Sequence, residues 1–180
     1  MCAVARTRAR QPLTVAETYS RLQRTIALKP ESRPLKREGK TGTQLIILVV
    51  EDVHETRDGI EKLLNADGYH VAVARDEDDA IKSASLERPD LILVSLAGLP
   101  AEVILTARRI RDSAKAAKSL PVIVFCVEGI GDGDEVAIGK NVHITRPDNF
   151  NQLRGLITRL LRKNSNWAST VRSQVLGSPD

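Results

Sequence analysis

The sequence predicts an α/β fold, a five-stranded doubly wound parallel sheet, and three observations predict it. Short continuous apolar runs recur along residues 45–163, each of strand length and each ended by polar or turn-forming residues. Between them lie stretches whose apolar residues return every three or four positions, the period of a helix packed on one side. Apolar residues make up 42% of the chain and aromatics only 3%, so the core is built from Leu, Ile, Val and Ala. Runs that are apolar on both faces belong to sheets covered on both sides, and such sheets are parallel. Strands that alternate with helices connect in that way.

Residues 1–44 stand apart by charge. They hold ten Lys or Arg against three Glu, a balance of +7, whereas residues 45–180 hold seventeen basic and twenty acidic residues, a balance of −3. The net charge of +4 is therefore a property of a basic arm, which reads as largely disordered. Within it, Thr14 and Glu17 form a capping box. Val15, Tyr19, Leu22 and Ile26 then fall on one helical face, so a short amphipathic helix is expected at about 14–28. Pro30 ends it, because the residue before proline avoids helical dihedrals. Residues 30–43 read as a linker.

The domain begins at Leu45. Leu45–Val50 is the first strand, and Ile60, Leu63 and Leu64 mark a helix closed by Asp67-Gly68. His70–Ala74 is the second strand. Asp76 caps the next helix, which carries Ala80, Ile81, Ala84 and Leu86 and stops at Pro89. Leu91–Val94 is the third strand, followed by a helix with Val103, Ile104, Ala107 and Ile110. Val122–Val127 is the fourth strand. After a glycine-rich stretch comes the fifth, Asn141–Ile144, and then a helix with Phe150, Leu153, Leu156, Ile157, Leu160 and Leu161. Residues 164–180 read as a polar, frayed tail. Five such units give the flavodoxin-like order 2-1-3-4-5, with ligands beyond the carboxyl ends of the strands.

Cys2 and Cys126 make no disulfide framework and suit a reducing compartment. Apolar runs such as Leu45–Val50 stop far short of the ~20 residues a spanning helix needs. The arginines at positions 6, 8 and 10 precede no apolar signal core. A cytoplasmic protein without membrane contact is expected.

Strand one ends in Glu51 and Asp52. Adjacent carboxylates repel, and a cation between them relieves this; magnesium favours a few carboxylates with water and a phosphate oxygen. A solvated acidic pair at a helix start is the plainer account. The pair belongs to an ordered set: Val49-Val50-Glu51-Asp52, Arg57, Gly68-Tyr69-His70-Val71, Ala74-Arg75-Asp76 and Pro89-Asp90-Leu91-Ile92-Leu93-Val94. Leu99-Pro100, Ile110-Arg111, Leu120-Pro121-Val122-Ile123 and Arg146-Pro147 continue it. Over residues 45–163 this series resembles the response-regulator receiver domain of two-component signalling.

The resemblance implies a set of roles. In that family an acidic pair binds magnesium, and an aspartate ending strand three takes a phosphoryl group from a histidine kinase. A Thr or Ser after strand four senses the phosphate, and a Lys before a proline after strand five neutralises it. Glu51 and Asp52 match the acidic pair. The phosphoacceptor position is Ser95, the Thr/Ser position is Cys126, and the lysine position is Arg146, followed by the expected Pro147.

Each departure weakens the phosphate chemistry. An acyl phosphate needs a carboxylate nucleophile, which Ser95 lacks. Losing that carboxylate also removes a metal ligand, so magnesium binds weakly if at all. A thiol at Cys126 is a poor hydrogen-bond donor. Arg146 keeps the charge but not the compact ammonium, and it is free to pair with Glu51 or Asp52. The expected function is that of a degenerate receiver, a non-enzyme that signals without phosphate through contact with a histidine kinase, a downstream effector or a second copy. A receiver that takes phosphate on another acceptor is the first alternative. A nucleic-acid-associated protein working through the basic arm is the second.

Glu128-Gly-Ile-Gly-Asp-Gly-Asp134 falls where the family has its fourth helix, and each interior glycine costs a helix about 1 kcal/mol relative to alanine. That helix is expected to be short, late-starting or irregular. Other signals are set aside. Gly39-Lys40-Thr41 lacks the first glycine of a phosphate loop and precedes a strand. Gly129, Gly131 and Gly133 are interleaved with acids. Asp132, Asp134 and Glu135 lack the spacing of a calcium loop. His54, His70 and His143 show no ligand spacing. Arg108, Arg109, Arg111, Lys115 and Lys118 read as a solvated helix face.

Overall fold

The computed structural model describes residues 44–114, 119–125, 129–139 and 141–175, with side chains as far as Asn164. The basic arm, its expected helix at 14–28, and Cys126 lie outside the described residues.

Parallel strands β1 (Ile46–Glu51), β2 (His70–Ala74), β3 (Leu91–Ser95) and β4 (Val122–Phe125) form the body of the sheet. They alternate with helices α1 (His54–Ala66), α2 (Glu77–Glu87) and α3 (Pro100–Ser113). Strands β5 (Glu135–Ala137) and β6 (Val142–Thr145) follow, and helix α4 (Phe150–Val175) closes the order. The sheet runs β2-β1-β3-β4-β6-β5. The expected fifth strand is thus β6, parallel to β4. One strand more than expected, β5, lies antiparallel on its outer edge. This corrects the five-strand count and leaves the doubly wound order otherwise intact.

Strand residues alternate between two cores, as the period of two requires. Leu48, Val50, Ile92, Val94, Val122, Val124, Val142 and Ile144 pack with Ala80 and Ala84 of α2 and with Val103, Ala107 and Ile110 of α3. Ile47, Val49, Leu91, Leu93, Ile123 and Phe125 pack with Ile60 and Leu64 of α1 and with the inner face of α4. Both faces of the sheet are therefore dry.

The helix ends follow their local chemistry. The Asp79 amide donates to Asp76 Oδ1 at 2.9 Å, the N-cap expected for α2. Gly68 takes φ +90° after α1, a left-handed position that suits glycine. Pro100 opens α3 at its first turn, where its missing amide costs nothing. Helix α4 differs from expectation: it runs 26 residues, about 39 Å at 1.5 Å per residue. Among the described side chains the last buried one is Leu161, and the backbone stays helical through Val175. The segment read as a frayed tail from 164 is helical to that point.

Helices α2 and α3 are tied by Glu77. Its carboxylate accepts from Arg109 Nε at 2.5 Å, from Arg109 Nη2 at 2.7 Å and from the Thr106 hydroxyl at 3.0 Å. The Arg109 guanidinium, helped by Thr106, holds the Glu77 carboxyl below the usual glutamate range. A lowered acid pKa means that folding favours the ionised form, so the contribution is complete above the ordinary glutamate range. It drains away as pH falls through the lowered value. Because Arg109 is more than half exposed, the effect is small.

Two measurements check this packing. Leu93, fully buried, should cost about 3 kcal/mol as Leu93→Ala, read by urea denaturation. Glu77→Gln should lower the urea midpoint slightly at neutral pH, and the difference from wild type should vanish in acid once Glu77 is protonated.

Candidate functional site

The strand ends make one polar edge on an otherwise apolar sheet. Glu51 stands opposite Ser95 in the register of β1 and β3, and Phe125 opposite Thr145 in that of β4 and β6. Among the described residues, the buried polar side chains are Glu51, Thr56, Ser95, Thr145 and Arg146. Four of these five end a strand or follow one, which singles out this edge as the place where burial of polar groups needs explaining. Pro147 is buried beside Arg146.

Glu51 is fully buried, and its Oε1 accepts the Val53 amide at 2.9 Å. Its backbone carbonyl accepts from Arg57 Nη1 at 2.9 Å, so Arg57 braces the turn from β1 into α1. Asp52 is exposed, and its Oδ2 takes a long 3.4 Å hydrogen bond from the Ala97 amide, tying β1 to the loop after β3. The acidic pair is thus divided between interior and rim. Ser95 closes β3 and is 1% exposed. Among the described residues no three His, Cys, Asp or Glu side chains gather as metal ligands. One oxygen of Glu51 is engaged by the adjacent backbone, Asp52 lies at the rim, and a hydroxyl ends β3.

Arg146 follows β6 with its side chain 9% exposed, and its Nε lies 2.9 Å from Asp132 Oδ1. Asp132 belongs to the glycine-rich stretch where a short or irregular fourth helix was expected. The described residues there, 129–139, hold no helix; they form a turn and then β5. Four hydrogen bonds lay this segment against β6 and α4. The Gly133 amide donates to the Arg146 carbonyl at 2.7 Å, and the Arg146 amide to the Asp134 carbonyl at 3.3 Å. The Thr145 hydroxyl donates to the Asp134 carbonyl at 2.9 Å, and Gln152 Nε2 to the Gly133 carbonyl at 2.6 Å. Gly133 has φ +83°, and a Cβ there would meet Asp148 Oδ2 at 3.0 Å. The left-handed φ favours glycine there, and any side chain would also have to displace the Asp148 carboxylate.

The structure gathers Glu51, Ser95, Arg146 and Pro147 at this edge, with Asp52 at its rim. Sequence reasoning missed Asp132, Thr145 and Gln152. In the sequence Asp132 stands out only by its spacing to other acids, and nothing local announces that a hairpin will carry it to Arg146. The histidines each face a carboxylate rather than a ligand set: His54 with Asp58 at 2.9 Å, His70 with Glu87 at 3.8 Å and His143 with Glu135 at 3.3 Å. In the basic stretch of α3, Arg109 pairs with Glu77 and Arg111 with Asp112, so that face is partly neutralised within the fold.

A doubly wound sheet with an acidic pair ending β1 and a cation-proline pair ending β6 defines the receiver class of signalling domain. The family model for the response regulator receiver domain matches residues 47–158, and the chain belongs to that family. It is 35% identical over 128 residues to the virulence transcriptional regulatory protein PhoP of Salmonella typhimurium, covering 69% of this chain and 55% of PhoP. It is 28% identical over 138 residues to the transcriptional regulatory protein PrrA of Mycobacterium tuberculosis, covering 74% of this chain and 57% of PrrA. The chain thus spans little more than half the length of these relatives. The fold is similar to a chain in the crystal structure of histidine kinase ThkA in complex with response regulator TrrA, the latter from Thermotoga maritima. That match has a TM-score of 0.52 at 20% identity and covers 66% of this chain and 99% of that one.

The turn before β5 offers a direct check. Gly133→Ala should destabilise the domain by about 1–3 kcal/mol in urea denaturation, since it forces a side chain into the left-handed region.

Proposed function

We propose that this receiver works without an aspartyl phosphate and signals by contact with another protein of a two-component pathway. Ser95 carries the reading: it ends β3 opposite Glu51, at the position where the family has its phosphoacceptor, and it is buried. A hydroxyl does not form the acyl phosphate that a carboxylate nucleophile makes. Its burial also weighs against transfer from a Ser/Thr kinase, which must reach the hydroxyl. Cys126 at the sensing position and Arg146 at the lysine position point the same way. Magnesium binding at Glu51 and Asp52 is weak in this reading. The protein is a non-enzymatic, cytoplasmic interaction module whose partner is a histidine kinase, a downstream effector or a second copy. Among the described residues no helix is long and apolar enough to cross a membrane.

A second reading draws on the charge partition, since a balance of +7 sits in residues 1–44 and −3 in the rest. Here the arm contacts nucleic acid, in keeping with relatives that are named transcriptional regulators.

Incubation with acetyl phosphate and magnesium, followed by a phosphate-affinity gel, separates the readings of the pocket. No shifted band is expected for the wild-type chain, and millimolar magnesium should leave its Tm unchanged. A shifted band would overturn the proposal, and its loss in Ser95→Ala would identify the acceptor. The nucleic-acid reading requires DNA binding that weakens steeply with salt and disappears when residues 1–44 are removed; salt-insensitive or absent binding rejects it.

A further inference from the structure

We infer that Asp132 is a built-in ligand of Arg146: its carboxylate takes the guanidinium at the strand-end site and pins residues 131–137 across it, excluding a mobile oxyanion. The inference rests on the reading of this edge as a receiver site that has given up its phosphate, and it names the group that fills the position.

A guanidinium recognises carboxylate and phosphate oxygens by the same charge-assisted hydrogen bonds, so one can replace the other. Arg146 is nine-tenths buried, with Asp132 Oδ1 at 2.9 Å. Asp132 itself is 41% exposed, so the carboxylate comes to the cation from the solvent side, the side from which a free anion would enter. The loop that delivers it is built for that place. Backbone bonds from Gly133 to Arg146 and from Arg146 to Asp134 fix it to the end of β6. The Thr145 hydroxyl and Gln152 Nε2 hold the carbonyls of Asp134 and Gly133. Gln152 is in turn oriented by the Asp148 amide, which donates to its Oε1 at 2.9 Å. Farther along, Glu135 faces His143 at 3.3 Å and pairs with Arg159 of α4, so the start of the edge strand is held to β6 and α4. Sequence, backbone and ion pair all favour one placement of the segment that in this family gives a helix.

The test uses the full chain as wild type, Asp132→Asn and Asp132→Glu. Hydrogen exchange followed by mass spectrometry should show the amides of residues 131–137 and Arg146 exchanging about tenfold faster or more in Asp132→Asn, the loss expected for a charge-assisted bond. Peptides from β1, β3 and β4 should be unchanged, which shows that the variant is folded. Asp132→Glu, which keeps the carboxylate, should restore most of the protection. Inorganic phosphate should raise the Tm of Asp132→Asn more than that of wild type at equal ionic strength, because the guanidinium has lost the Asp132 carboxylate that competes with the anion. Unchanged exchange in Asp132→Asn overturns the inference, and so does phosphate stabilising both proteins equally. The two proposals fail separately: a phosphorylated band in the gel removes the phosphate-free reading, while the exchange result alone decides whether Asp132 holds the loop.

Discussion

The structure depends on a sheet buried on both faces. Ile47 to Val50, Leu91 to Val94 and Val122 to Val124 are all fully inaccessible, so none of their side chains can carry chemistry. Polar groups have to collect where the strands stop. The parallel arrangement brings those stops to a single edge, at which the order reverses between β2-β1 and β3-β4. Glu51, Ser95, Thr145 and Arg146 lie together because of that constraint, although nearly a hundred residues of chain separate the first from the last.

At this edge the chain has the frame of its family, and in the function proposed above the groups that would handle phosphate are changed. The acidic pair remains, but Glu51 is turned to the Val53 amide while only Asp52 reaches the rim. Ser95 ends β3 opposite Glu51, with its hydroxyl buried. The cation remains as Arg146, buried, and a buried cation demands a counter-charge. Asp132 supplies one from inside the same chain.

The segment between β4 and β6 links these facts. Glycines at 129, 131 and 133 make a helix costly, and the residues that follow, Glu135-Val136-Ala137, extend the sheet instead. Their register with His143, Ile144 and Thr145 sets where the preceding turn falls and brings Asp132 to Arg146. Its outer neighbour is solvent: all three residues of β5 are exposed. The described residues of this region therefore hold no helix and add a short edge strand fixed by side chains of β6 and α4.

The sequence by itself determined the parallel strands β1 to β4, the strand now numbered β6, the helices between them and the identity of Glu51, Asp52, Ser95, Arg146 and Pro147 as strand-end residues. These follow from local signals: apolar runs, helical spacing, the Asp76 cap, the stops at Gly68 and Pro89. What the tertiary structure decided is of another kind. Strand β5 has three residues and one exposed valine, too little for any pattern, and exists because β6 offers it an edge. The pairing of Asp132 with Arg146 depends on that hairpin and not on spacing in the chain. The continuation of α4 past Leu161 was hidden by a polar composition that reads as a tail. Local periodicity reports which face of an element is buried; it does not report which partner a long-range turn will bring to a buried charge.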